Sequence, residues 1–399
     1  MGSNCLRGWR QRASTLDRDE EMKLTKTLLA GAILAGIGGT AYAETSVTLY
    51  GLIDVGITYQ RGKVGTDDVN RPQYGGDYQS RIGMTDGIQR GSRWGLRGTE
   101  DLGDGLSAVF VLESGFGARN GESKQGDRLF GRQATIGLNH ESFGRLDLGR
   151  QTNIASKYFA DIDPFSLSYL NSTMGSAFSA ADTVRYDNMV MYQTPSWSGF
   201  QAGVGYSFST DDVEGPTGFE EDDNNRAITA GVRYVGGPLQ VAFTYDQQFR
   251  APSQPQPQQF ILGAAYDFEV LKLSLAYGRT KDGVFVGQDF DLMGGRVNTN
   301  TPAKGLGNTN DRFTWDGLKI NSYLVGVSAP IGGASNVFAS WQRADPNKGL
   351  ENMDIYSVGY TYDLSKRTNL YAVGSYADGY AFVDGNKMTT VGVGLRHRF

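Results

Sequence analysis

The 399-residue chain contains one cysteine, Cys5, and two histidines, His140 and His397. That shortage rules out zinc and iron–sulfur sites built on thiolates. Because Cys5 lies in a segment expected to be removed, the mature domain has to be held by backbone ladders and packing, without disulfides. A Ser-His-Asp hydrolase needs a histidine beside its nucleophile, and His140 reads as a solvated turn residue. After residue 43 no apolar run reaches the ~18 residues of a membrane-spanning helix, so a helical membrane protein is excluded. Proline is scarce, at 11 residues. Positive charge is also lacking: the formal net charge is −5, and the first 43 residues are themselves net basic. A broad nucleic-acid surface is therefore not expected. Gly203 and Gly205 lie in an alternating segment with no helical pattern after it, which argues against a nucleotide-binding loop. The acidic run Glu220–Asp223 is the one loose Ca²⁺ candidate, and it reads as a solvated loop. No cofactor and no resident metal are expected.

The N-terminus has the marks of a secretory signal. Met22 is followed by Lys23 and Lys26, then by the apolar stretch Leu28–Ile37, then by Ala41-Tyr42-Ala43 in the A-x-A pattern of a cleavage site. Residues 1–21 are expected to be an extension ahead of the native start. Residues 22–43 are expected to be the signal peptide, and residues 44–399 a single domain with no internal linker.

Glycine is abundant, at 55 residues, which long helices tolerate badly. The hydrophobic period in the domain is two. Val47, Leu49, Ile53, Val55, Ile57 and Tyr59 alternate with polar or small residues, and so do Phe200–Phe208, Leu239–Tyr245 and Leu271–Tyr277. Such alternation puts one row on each face of a strand. Connections alternate between short (Glu100–Gly105, Asn139–Ser142, Pro195–Gly199, Gly236–Pro238, near Phe268–Val270, Pro330–Ala334, Asp363–Arg367) and long. The long ones are Arg61–Gln89, Ala118–Asp127, Thr152–Val184, Thr210–Asn225, Arg250–Gln258, Lys281–Trp315, Asp345–Asn352 and Asp378–Gly385. Seven short and eight long connections imply sixteen strands. Outward rows that end in Tyr or Phe fit the aromatic girdles of a transmembrane antiparallel β-barrel, and about sixteen strands leave an aqueous channel. A soluble β-sandwich would expose these same rows as apolar patches.

Strand parity gives candidate lumenal groups. In Ser92–Thr99, Trp94 and Leu96 set the outward row, so Arg93 and Arg97 point inward. In Arg132–Leu138, an outward Gln133 and Thr135 would put Arg132 inside. Leu146 and Leu148 make Arg150 outward, where a lone charge in lipid is costly, so a subunit interface is expected there. Basic groups on the wall facing Asp161 and Asp163 would set up a transverse field that sorts ions without a binding pocket.

Six segments carry a resemblance: SVTLYGLIDVGITY (Ser46–Tyr59), SRWGLRGTEDLGDGLSAVFVLESGF (Ser92–Phe116), RLFGRQATIGL (Arg128–Leu138), GRLDLGRQ (Gly144–Gln151), DLSKRTNLYA (Asp363–Ala372) and VGVGLRHRF (Val391–Phe399). In order and spacing they resemble the general porins of Gram-negative bacteria, of the neisserial and β-proteobacterial branch. The resemblance implies a sixteen-stranded barrel, usually a homotrimer, whose third long loop, here Thr152–Val184, folds into the lumen. It also implies basic eyelet positions at Arg132 and Arg185, and a terminal aromatic, Phe399, that is read by the outer-membrane barrel assembly machinery. The PEFGG loop motif of enterobacterial porins is absent; DIDPFSLSYLNSTMGSAF (Asp161–Phe178) stands in its place. The expected function is passive diffusion of small hydrophilic solutes and inorganic ions through the outer membrane, among its lipids, with a weak anion preference and no enzymatic activity. A substrate-selective channel of the same fold is the alternative, with Tyr158, Phe159, Phe165, Tyr169 and Phe178 as its aromatic slide.

Overall fold

The computed structural model describes residues 46–63, 78–210, 225–250, 254–285, 291–292, 295–296, 316–382 and 384–399. The expected extension and signal peptide lie outside the described residues, as does Glu220–Asp223. No helix among the described residues is long and apolar enough to cross a membrane.

Sixteen passes of strand follow one another. They are β1 (Ser46–Lys63), β2 (Tyr78–Asp86 and Arg93–Gly103), β3 (Leu106–Gly115), β4 (Gln133–His140), β5 (Gly144–Thr152) and β6 (Arg185–Tyr186 and Met189–Gln193). Then come β7 (Phe200–Ser207), β8 (Arg226–Gly236), β9 (Leu239–Phe249), β10 (Gln258–Asp267) and β11 (Lys272–Lys281). The last five are β12 (Lys319–Ile331), β13 (Ser335–Pro346), β14 (Met353–Asp363), β15 (Thr368–Asp378) and β16 (Lys387–Arg398). Every neighbouring pair is antiparallel, and β16 returns to β1 in the register Leu52↔Arg398 to Arg61↔Thr389. The sheet is thus a closed barrel and has no edge at that seam, the condition for crossing lipid with strands.

The alternation has the expected sense. On β16, Val391, Val393 and Leu395 are exposed on the outside, while Met388 and Thr390 are buried. Val241 and Leu273 lie on outward rows with Phe243 and Leu275, which are exposed. The usual burial logic is inverted: large apolar side chains cover the outer wall, and small polar ones such as Thr229, Ser274, Ser322 and Gln342 are buried inside.

The second pass differs from expectation. Arg61–Gln89 reads as one long loop, yet β1 runs to Lys63 and Tyr78–Asp86 pairs with it from Val55↔Asp86 to Lys63↔Tyr78. In YQSRIGMTD the outward row mixes Ser80 and Asp86 with Tyr78, Ile82 and Met84, which blurs the alternation of this strand. The pass then breaks at Gly87–Ser92. Gly87 has φ +63, a conformation that glycine adopts without steric cost. Three bonds pin the break to β1: Gly87 N–H to Asp54 O at 2.9 Å, Arg90 N–H to Asp54 Oδ2 at 2.5 Å and Ser92 Oγ–H to Asp54 O at 3.1 Å.

The third long connection, Asn153–Val184, folds into the barrel and packs on its inner wall. It starts with α1 (Ile154–Phe159), capped by Asn153 Oδ1 accepting from Ser156 N–H at 3.1 Å. Ile154, Phe159, Ile162, Met174 and Phe178 pack on inward residues of the wall in one buried cluster. Close approach needs glycine on the wall. A Cβ at Gly263 would lie 2.7 Å from Phe159, and one at Gly326 2.4 Å from Pro164. Hydrogen bonds tie the connection to far-apart strands: Asn153 Nδ2 to Asp246 Oδ1 at 2.8 Å, Ala180 N–H to Gln259 Oε1 at 2.8 Å, Ser322 Oγ–H to Ala177 O at 2.6 Å, Gln342 Nε2 to Ser172 O at 2.8 Å and Ser375 Oγ–H to Asn171 Oδ1 at 2.8 Å.

Candidate functional site

A basic wall lies on β1–β4 beside this connection. Leu52↔Arg93 and Thr48↔Arg97 share the inward row, so both arginines face the lumen, as strand parity predicts. Arg97 sits 5.4 Å over the Tyr50 ring. Glu113, on the inward row of β3, is the shared anion. It accepts from Arg132 Nε at 2.6 Å and from Tyr50 O–H at 3.0 Å, and Arg93 Nη1 lies 3.7 Å away.

Arg132 reaches this wall for a reason other than the expected one. Gln133 and Thr135 face inward, paired with Glu113 and Val111, so parity alone would turn Arg132 out. Arg132 precedes β4, and although its N–H donates to Glu113 O at 3.1 Å, its side chain folds back onto the Glu113 carboxylate. Arg185 is paired with Thr152 on the row opposite to the inward Gln151 and Tyr186. Its Nε donates to Arg132 O and its Nη1 to Thr183 O, both at 3.1 Å. It therefore braces the Arg132 segment and does not extend the lumenal row.

The two expected loop carboxylates part company. Asp161 is exposed, and its carbonyl accepts from Lys272 Nζ at 2.5 Å. Asp163 is buried and accepts three backbone N–H groups, from Phe165 (3.1 Å), Leu167 (2.9 Å) and Met174 (3.0 Å). It organises the turn and faces no solute. Burial pushes its carboxyl up to about 6, against the three donors. A carboxyl raised in the folded state contributes stability fully present below its unfolded value of 3.8 and lost as pH rises through the raised value. The turn should therefore loosen between about pH 4 and pH 6. Spontaneous closures of the open channel should become more frequent across that window in the wild type. In Asp163→Asn, which cannot ionise, that pH dependence should weaken; equal pH dependence in both proteins would refute the assignment.

The aromatic candidates also resolve. Tyr158, Phe159, Phe165, Tyr169 and Phe178 are all buried, at most 5% exposed. Phe165 and Tyr169 stack edge-on with Phe338 and Tyr371. They seat the connection and form no slide along a solute path. Arg150 sits on the outward row opposite Ala134, but it is not alone. Its Nη1 donates to Asp187 Oδ1 at 2.6 Å and its Nε to Gly131 O at 2.7 Å, while Arg128 Nη1 binds the same carboxylate at 2.6 Å.

Two participants escaped the sequence reading. Arg90, from the break in β2, donates through Nη2 to Ser166 O at 3.0 Å and so joins the basic wall to the inner connection. Glu113 lies in LSAVFVLESG, where both rows are apolar and alternation gives no orientation. The one available signal was the paired glycines of DGIQRGS, which interrupt an otherwise regular strand pattern.

A family model described as Gram-negative porin matches residues 30–381. The chain is 58% identical over 389 residues to an outer membrane porin protein of Bordetella pertussis, covering 94% of this chain and 100% of that protein. It is 32% identical to outer membrane porin protein 32 of Delftia acidovorans, with the same coverage. Among solved structures, the anion-selective porin from Comamonas acidovorans aligns with a TM-score of 0.66 and 29% identity, covering 89% of this chain and 100% of that one.

Proposed function

The chain belongs to the Gram-negative porin family, and from that premise we propose that the basic wall of its outer-membrane pore gives anions the easier passage. The pore itself is passive, a β-barrel of the outer membrane for small hydrophilic solutes. Its family and relatives are channels rather than enzymes. The observation that carries the anion preference is a count of charges at one place. Arg93 and Arg132 share Glu113, Arg97 lies over the Tyr50 ring on the same inward row, Arg90 bonds the inner connection beside them, and Asp161 is the exposed carboxylate of that connection. Charges lining a narrow lumen act on an ion at contact distance, whereas loop carboxylates further off are screened within ~8 Å at physiological ionic strength. The anion selectivity of the Comamonas acidovorans porin agrees in sign. The zero-current potential of single channels in a KCl gradient tests the reading; a cation-selective sign would end it.

The same proposal includes a homotrimer, in keeping with the trimer form of a Vibrio cholerae outer membrane protein of the same fold. Arg150, Asp187 and Arg128 then form a partly compensated basic patch at a subunit contact. Arg150→Ala leaves Asp187 with one partner, and the SDS-resistant oligomer should dissociate at a lower temperature. An unchanged dissociation temperature would remove Arg150 from the interface. Phe399, at the end of the outward row Val391, Val393 and Leu395, serves as the signal for the assembly machinery.

A further inference from the structure

On the sixteen-strand sheet, β13 and β14 lie eight passes from β5 and β6, half the circumference away from Arg150 and Asp187. The outer wall there is not smooth. A hollow of about 560 Å³ opens on the outward face of β12–β15. Its rung nearer the long loops holds Trp341, Tyr356 and Tyr376, side by side in register, and the next outward rung holds Ala339, Val358 and Gly374. The residues between these rungs turn their side chains inward, so the floor of the hollow is backbone.

The hollow comes from a step in side-chain size. Three large rings end at two small residues. A Cβ on Gly374 would meet only Val358 Cγ1, at 3.8 Å, so the space above it is open. Tyr356 and Val358 are more than half exposed. The ring wall is held in place from the loop side: Trp341 Nε1 donates to Asp354 Oδ1 at 2.9 Å, and Arg343 Nη1 lies 3.4 Å from Asp354 Oδ2. Charge therefore stands just beyond the rings, and the hollow itself is lined by apolar groups at the depth of hydrocarbon.

We propose that this hollow seats one acyl chain of a lipid in the leaflet on the long-loop side. The barrel crosses the outer membrane, so its outer wall meets either lipid or a second subunit. The subunit contact proposed at Arg150 lies on the opposite side, which leaves lipid. Acyl chains and apolar side chains are equally content in hydrocarbon, so what retains a chain is close packing. Ala339 and Gly374 let it approach the backbone, and the rings and Val358 close on its flanks, giving more atom contacts than a flat wall offers. The inference rests on the placement of the subunit contact, which the dissociation temperature of Arg150→Ala tests separately, and is independent of ion selectivity.

The test uses the full chain freed of lipid in maltoside micelles. The probe is a phosphatidylcholine brominated at mid-chain, which quenches tryptophan on contact. The signal of the hollow is the difference in fluorescence between the wild type and Trp341→Phe. It should fall saturably as probe is added, with an end point near one lipid per chain. Ala339→Leu with Gly374→Leu fills the floor and should raise the half-quenching concentration about tenfold, as loss of roughly ten close carbon contacts implies. Ala339→Leu alone should give a smaller shift in the same direction. Ala230→Leu, on the outward row of β8, should give none. Quenching that only follows the proportion of probe in the micelle, without saturation, overturns the proposal. So does a half-quenching concentration that the filled variants share with the wild type. If the probe leaves Trp341 unquenched and the filled variants change the size of the native oligomer, a second subunit occupies the hollow and the proposal is likewise overturned.

Discussion

Deleting Phe399 should reduce the outer-membrane level of the protein by an order of magnitude or more, leaving unassembled chain in the periplasm to be degraded. Two things are lost with that residue. Its backbone closes the seam: Gly51 N–H donates to Phe399 O and Phe399 N–H to Gly51 O, both at 3.1 Å. Its ring lies against the outer face of β1, where a Cβ on Gly51 would stand 2.4 Å from Phe399 Cζ. Without it, Gly51 keeps an unpaired N–H and C=O on a wall that faces lipid, where no water satisfies them. The proposed assembly signal goes with it. Gly51→Val separates the two losses, because it displaces the ring and leaves the C-terminal sequence intact. If the signal dominates, that variant still reaches the outer membrane but melts earlier. Fractionation with quantitative immunoblotting reads both outcomes, and normal levels of the truncated chain in the outer membrane would end the proposal for Phe399.

The second large effect is expected in the zero-current potential. Arg132→Ala strips Glu113 of its 2.6 Å partner and leaves Arg93 at 3.7 Å and Tyr50 to attend it. The wall then loses one positive charge and exposes part of a negative one. A unit charge ~7 Å from a passing ion in water is worth about 0.6 kcal/mol, or a factor of about three in relative permeability. Anions and cations feel it with opposite sign, so the permeability ratio should move further toward cations than either single factor. Arg93→Ala should act in the same direction and less strongly, since its ion pair is longer. Both shifts should shrink at 1 M salt, where screening falls to ~3 Å. The barrel should remain assembled, because neither side chain belongs to the backbone ladder. If the zero-current potential is unchanged in both variants, these residues do not set selectivity.

Legibility of the sequence followed the physics of one row against the other. Where one row was aliphatic and its partner polar or small, as in Ser46–Tyr59 and Val391–Phe399, the sense of the strand and the inward place of Arg93 and Arg97 could be read directly. Where both rows were apolar, as around Glu113, or where one row mixed Ser80 and Asp86 with Tyr78, Ile82 and Met84, the alternation carried little orientation and those elements were missed. Arg132 was placed on the right wall by an incorrect parity, because a residue just outside a strand obeys its local turn and not the pleat. Asp163 shows a different limit. A carboxylate in a long loop reads the same whether it faces water or three backbone N–H groups, and only the fold of Phe165–Met174 around it decides which.

The inner connection also has a mechanical consequence. A thin-walled cylinder is stiff along its length and soft when squeezed across a diameter. Here a strut rooted between β5 and β6 reaches the facing wall and is fastened along it, at Asp246, Gln259, Ser322, Gln342 and Ser375. Each fastening is worth about 1 kcal/mol net, and flattening the wall would have to stretch several together. The cross-section and the strut therefore move as one body, and lateral pressure in the bilayer becomes a force on the narrowest point of the water column.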